Sequence, residues 1–155
     1  MNLRNNNGYA GIDISVALLI IVIFITTIFG VVYNIEKTNN AVRRESKAVS
    51  IITDILETAK TYGKTDVKLE NKESFSNEME NKQYKNTQST LEPTGDIIKQ
   101  YSFEDENKEH YKIDITLSYP NNEENELVRK ITVSVEYPVG NNTKTVEISS
   151  ILQAS

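Results

Sequence analysis

The apolar positions of this chain follow three patterns, one after another. From Ile14 to Val32 the sequence ISVALLIIVIFITTIFGVV is apolar on every helical face and carries no charge, and the uncharged stretch runs on to Ile35. A helix of about 20 residues rising 1.5 Å each covers a hydrocarbon core of ~30 Å, so this segment is predicted to span a membrane. The period then changes. Val42, Val49, Ile52, Ile55, Leu56 and Ala59 recur three and four apart, while Arg43, Arg44, Lys47, Asp54 and Lys60 occupy other faces. That is an amphipathic continuation with one stripe in need of cover, and Gly63 supplies a C-terminal stop. A single helix over residues 9–62 would be about 80 Å long.

The third pattern has a period of two. Tyr111, Ile113, Ile115, Leu117 and Tyr119 alternate with Lys112, Asp114, Thr116 and Ser118; Ile131, Val133, Val135 and Tyr137 alternate with Lys130, Thr132, Ser134 and Glu136. Both stretches are strands with one apolar face. Pro120-Asn121-Asn122 opens one turn, extended by Glu123 to Glu126, and Pro138-Val139-Gly140-Asn141-Asn142 makes another. Thr145 to Leu152 is a third strand, with Val146 and Ile148 inward and a slip at Ser149-Ser150 that reads as a bulge or strand end. A weaker strand covers Ile97 to Phe103. Residues 64–96 read as a polar loop with scattered Leu69, Phe75, Met79, Tyr84 and Leu91, closed by Pro93-Thr94-Gly95, with room for a short helix around 73–84. The predicted class is α+β: one long N-terminal helix packed on three or four antiparallel strands, so that both apolar stripes are buried together.

Composition adds constraints. The 155 residues suit one domain of ordinary size, and without Cys it must hold by packing rather than disulfides. The net charge of −5 favours solubility and gives no general support for nucleic-acid binding. His110, the only histidine, sits beside Glu109 at a strand start and reads as a surface residue. No Gly-rich phosphate loop, nucleophile elbow or His/Cys cluster of metal spacing occurs, so no enzyme and no cofactor is expected. Glu104, Asp105, Glu106 and Glu109 crowd one loop; a hard cation such as Ca²⁺ suits such a group, and charge crowding in a solvated loop is the simpler reading.

Before the apolar run stands Gly8-Tyr9-Ala10-Gly11-Ile12-Asp13: a short polar leader ending in Gly, an aromatic residue, and a carboxylate four residues on. This order resembles the class III signal peptide of type IV pilins and pseudopilins. The last stretch, KITVSVEYPVGNNTKTVEISSILQAS, looks more weakly like the closing hairpin of minor pilins of the PilV kind and of type II secretion pseudopilin I. The resemblance implies cleavage by a prepilin peptidase after Gly8 and N-methylation of Tyr9 as the new N-terminus. It also implies retention of the apolar segment, which an ordinary secretory signal discards. Loss of Arg4 with the leader leaves 16 basic residues against 22 acidic, roughly −6. Asp13 stands where the family usually carries Glu, Tyr9 replaces the usual Phe, and Gly11 sits where an apolar residue is common. These departures suit a minor subunit. The resemblance further implies that Asp13 pairs with the Tyr9 amine of a neighbouring subunit; an N-terminal helical acid favoured by the dipole is a compatible second reading. Gly30 is read equally as a soft point of the helix or a small residue for close packing.

The implied organisation is a leader over 1–8, a transmembrane assembly half over 9–35, an amphipathic half over 36–63, a variable polar loop over 64–96 and a sheet over 97–155. The implied partners are other pilins or pseudopilins, the peptidase, a membrane assembly platform and membrane lipid. The implied place is the bacterial cytoplasmic membrane, single-pass, with the C-terminal domain outside. Arg43, Arg44 and Lys47 lie on the far side of the span from Arg4, and the positive-inside rule alone would put that side in the cytoplasm. The same cluster could meet lipid phosphates, DNA in a competence pilus or, most economically, acidic neighbouring subunits. Two alternatives stay open: a membrane-anchored binding module that does not polymerise, and a DNA-uptake pseudopilin.

Overall fold

A computed structural model describes residues 6–63, 69, 73–91, 97–120 and 128–153. Helix α1 runs unbroken over Asn6–Gly63. By compactness the chain divides into two units, Met1–Val42 and Arg43–Ser155. The described part of the first is helix alone. Its residues from Gly11 through Asn40 are exposed, so the apolar surface of Ile14 to Val32 is uncovered among the described residues. The helix passes through Gly30, around which a Cβ would meet nothing within 4 Å.

The second unit is an α+β domain. The later part of α1 is followed by helix α2 (Glu73–Asn81) and strands β1 (Lys85–Leu91), β2 (Ile97–Glu104), β3 (His110–Ser118), β4 (Val128–Val139) and β5 (Asn142–Gln153). The strands form one antiparallel sheet in the order of the chain, β1-β2-β3-β4-β5. Consecutive antiparallel neighbours are the least costly topology, since each strand pairs with the one just before it. Ile113, Ile115 and Leu117 of β3 stand beside Val135, Val133 and Ile131 of β4 on the inner face. Against this face lie Ala48, Ile51, Ile52, Ile55, Leu56 and Ala59 of α1, all buried. Each large aliphatic side chain buried there contributes about 1.5–3 kcal/mol.

The structure departs from the sequence expectations in four places. The sheet has five strands, because Lys85–Leu91, expected in a polar loop, forms β1. Its described side chains, Lys85 to Gln88, are exposed, and there β1 is held by its pairing with β2. The apolar stripe of α1 is shifted: Ala48 and Ile51 belong to it, whereas Val42 is 58% and Val49 38% exposed. The Ser149-Ser150 slip is neither bulge nor strand end, since the register runs on through Thr132↔Ser149 and Ile131↔Ser150. A Thr132 Oγ1–Ser149 Oγ hydrogen bond of 2.9 Å accounts for the polar outer residue. Finally, Ile148 points inward yet stays 36% exposed, because β5 is the edge of the sheet.

The turn between β4 and β5 is as short as a hairpin allows. Val139 pairs with Asn142, leaving Gly140 and Asn141 between them, and Gly140 has φ +64°. Gly at the first central position with positive φ is the type II′ arrangement, whose twist matches that of the strands. The turns expected at Pro93-Thr94-Gly95 and at Asn121-Asn122 with Glu123 to Glu126 lie outside the described residues.

Candidate functional site

Two groups of residues carry the chemistry the sequence singled out. The first is the N-terminal part of α1. Gly8 and Tyr9 fall in its opening turns by backbone alone, and their surroundings lie outside the described residues. Asp13 is exposed, with no hydrogen-bond or ion-pair partner among the described residues. It is the one charged residue from Asp13 to Ile35. A carboxylate held in such a segment costs roughly 2.5–3.5 kcal/mol near a bilayer centre and less toward an edge, so a partner for it is stabilising.

The hydroxyls within the apolar run Ile14 to Val32 are satisfied internally. Thr26 Oγ1 donates to the carbonyls of Val22 at 3.0 Å and Ile23 at 2.9 Å, and Thr27 Oγ1 donates to Ile23 at 2.8 Å. Ser15 Oγ donates to the Gly11 carbonyl at 2.9 Å. With these hydroxyls bonded back to their own helix, the run from Ile14 to Val32 leaves no side-chain donor unmet, as an apolar environment requires. One described helix is long and apolar enough to cross a membrane, and no part of its apolar window is buried. Tyr33, 67% exposed near the end of the uncharged run, is the kind of amphipathic ring that sits at headgroup depth.

The second group is the basic cluster. Within the sheet unit, Arg44 Nε donates to Glu109 Oε1 at 2.8 Å and Arg43 Nη2 donates to the same oxygen at 3.0 Å. Tyr111 OH approaches Glu109 Oε2 at 3.4 Å, and Arg44 Nη1 donates to the Pro138 carbonyl at 3.2 Å. One carboxylate thus ties α1 to the β2–β3 loop, and Arg44 extends the tie to the end of β4. The hydrogen bond that Arg44 donates to the Glu109 carboxylate raises the Arg44 pKa above its ordinary value. Burial first, then the Glu109 and Asp105 carboxylates, push the Tyr111 phenol up to about 12. Lys47, the third cation, lies over the Phe103 ring at 5.2 Å. The cluster expected to face neighbouring subunits is therefore engaged within its own domain.

The acidic loop is also committed to its own structure. Asp105 Oδ1 accepts the backbone N–H groups of Asn107 at 2.8 Å and Glu109 at 2.9 Å. Burial works to raise the Asp105 pKa, but these hydrogen bonds outweigh it and hold the carboxyl below its ordinary value. Among the described residues no three His, Cys, Asp or Glu side chains converge on a cation position. His110 is 79% exposed at its side chain, with Nδ1 3.7 Å from Glu104 Oε2, which places it on the surface as expected.

A third network had no counterpart in the sequence reading. Lys82 Nζ donates to Asp54 Oδ1 at 2.7 Å and Thr58 Oγ1 at 2.9 Å, and Tyr84 OH donates to Asp54 Oδ2 at 3.1 Å. It fastens the end of α2 to α1. Burial, followed by the Asp54 carboxylate, raises the Tyr84 pKa. Its partners lie 24 to 30 positions apart, a separation that carries no local signal.

No family model, curated protein or solved structure matches this chain.

Proposed function

We propose that this chain is a minor pilin or pseudopilin: a structural subunit, cut after Gly8, anchored in the bacterial cytoplasmic membrane by residues 9–35, and then taken into a filament. The observation that carries the reading is the two-character helix α1. Its first part is apolar on all faces and uncovered, and its later part is a one-sided stripe buried by an antiparallel sheet. A soluble protein would gain by burying such a surface, since about 25 cal/mol is forfeited for each Å² of apolar area left in water. Lipid before assembly and neighbouring helices after it provide that cover.

In this account Asp13 works at the margin of the apolar segment. The helix rises about 35 Å between Asp13 and Glu36, the next charged residue, close to one hydrocarbon thickness. Removal of the leader creates an α-amine at Tyr9, and pairing of that amine with the Asp13 carboxylate of a neighbour neutralises both charges within apolar surroundings. The partners are other pilins or pseudopilins, the prepilin peptidase and a membrane assembly platform. The uncovered helix and the domain it carries would serve assembly rather than catalysis.

The test is three substitutions, at Gly8 and Asp13, read in sheared filament fractions. Gly8→Ala blocks processing and abolishes incorporation while the chain stays in the membrane, whereas Asp13→Glu keeps incorporation and Asp13→Ala lowers it. Wild-type function from the Gly8→Ala chain would instead favour a membrane-anchored binding module that does not polymerise.

A further inference from the structure

The sheet ends in two unlike edges, β1 and β5. Strand β5 pairs with β4 in unbroken register, whereas β1 carries a bulge between Asn86 and Gln88. The two-residue turn makes Val139 and Asn142 a hydrogen-bonded pair, so alternate residues of β5 from Asn142 to Leu152 spend their backbone groups on β4. Thr143, Thr145, Glu147, Ser149 and Ile151 turn theirs outward, and no described strand lies beyond them. Proteins usually blunt such an edge with proline, a bulge or charge. From Glu147 to Gln153 the strand has Glu147 as its single charge, and it leaves both Ile148 and Ile151 exposed.

An open edge of this kind recognises an extended backbone, and the direction of α1 selects which one. Arg44 Nη1 reaches the Pro138 carbonyl, and a Cβ placed at Gly63 would lie 3.4 Å from Leu152, so the later part of α1 runs in the sense of β5. Copies anchored in one membrane carry α1 away from it in one sense, and their β5 strands are then parallel. An antiparallel β5–β5 pair needs opposite senses. A two-fold axis along the strands would set each residue level with its own copy, whereas a parallel ladder bonds a residue to the two flanking the one level with it. The remaining edge is β1 of the next copy, which runs in the direction of β5 because all neighbouring strands are antiparallel. Charge sets the register. Lys85 and Glu147 lie on the outer face of the sheet, are exposed, and have no ion-pair partner among the described residues. With Lys85 level with Glu147, the bulge brings Gln88 level with Ser149, and Leu91 comes level with Leu152. The outward groups of Ser149 and Ile151 then meet the backbone groups of β1 that β2 does not use. We infer that β5 of one copy takes β1 of the next as a parallel strand, head to tail, with Lys85 opposite Glu147.

This pairing rests on the membrane anchoring in the proposed function and is independent of cleavage after Gly8. The chain has no Cys, so single cysteines report the pairing on the full chain in lipid vesicles. Ser149→Cys and Gln88→Cys chains are mixed, mildly oxidised and resolved without reductant. Level residues on neighbouring strands lie about 5 Å apart, within the Cα reach of a disulfide, roughly 4.4–6.8 Å. The expected result is a disulfide-linked dimer several-fold more abundant in the mixture than with either chain alone. Glu147→Lys in the Ser149→Cys chain lowers that yield several-fold. Adding Lys85→Glu to the Gln88→Cys chain restores it, which also shows that the variants are folded. Alkaline extraction that leaves the chain with the lipid shows an intact anchor, so failure of the pairing is read apart from failure of the anchoring. With the chain retained in lipid, a mixture no better linked than the single-variant controls overturns the pairing. So does a yield that does not fall with Glu147→Lys, or that falls and is not restored by Lys85→Glu.

Discussion

Glu109 accepts hydrogen bonds from two arginines of one helix, and the two are not equivalent. The Arg43 side chain is 48% exposed and spends its guanidinium on one oxygen, whereas Arg44 is 24% exposed and also reaches the Pro138 carbonyl. Solvent screening reduces the first contact more than the second. Arg44→Ala is therefore expected to lower the unfolding free energy of the sheet unit by about 1–2 kcal/mol, and Arg43→Ala by less than about 0.5 kcal/mol. Urea unfolding in a fixed membrane mimetic measures both, and equal losses would contradict the assignment. The composition of this clamp was legible, since the basic residues and the acidic loop both stand out along the chain. Their pairing was not, because Arg44 and Glu109 are 65 positions apart and only the fold brings them together.

Among the elements, the end of α2 stores strain that a single substitution can release. Gln83 has φ +69°, with its N–H bonded to the Glu80 carbonyl at 2.8 Å, and the Tyr84 N–H reaches the Met79 carbonyl at 2.9 Å. This pair of bonds is a Schellman cap, with buried Met79 and Tyr84 as its apolar contact. A left-handed conformation costs an L-residue roughly 1–2 kcal/mol that Gly avoids. Gln83→Gly is expected to raise stability by about 1 kcal/mol, offset in part by the extra freedom of Gly in the unfolded chain. A lower urea midpoint would contradict it. The helix α1 and strands β3 and β4 were readable because their apolar residues keep one period and one face. Strand β1 was not, because KNTQSTL has no such face, and an edge strand can be stabilised by backbone pairing alone. The Val42–Val49 error has a similar origin: periodicity identifies an apolar row but not how far the covering sheet extends.

For the whole molecule, buried phenols link stability to alkaline pH. Burial raises Tyr101 and Tyr137, burial and Asp54 raise Tyr84, and burial with Glu109 and Asp105 pushes Tyr111 to about 12. Once unfolded, a phenol ionises near its ordinary 10.0. Between pH 10 and about 12 the unfolded state has therefore lost protons that the folded state retains, and stability falls as pH rises through that window. Below pH 10 this contribution is fully present. Phenolate absorbance is expected to show several tyrosines ionising together with loss of the sheet signal; smooth ionisation of all eight before unfolding would contradict it. At the same scale, the helix is long and apolar enough to cross a membrane, and in the proposed function the cut after Gly8 is what turns a membrane anchor into a filament subunit. Mass spectrometry of the mature N-terminus from the native cell tests this most directly. The account predicts a chain that begins at N-methylated Tyr9 and keeps its apolar helix. An intact Met1, or a chain cut beyond the apolar segment, would contradict it.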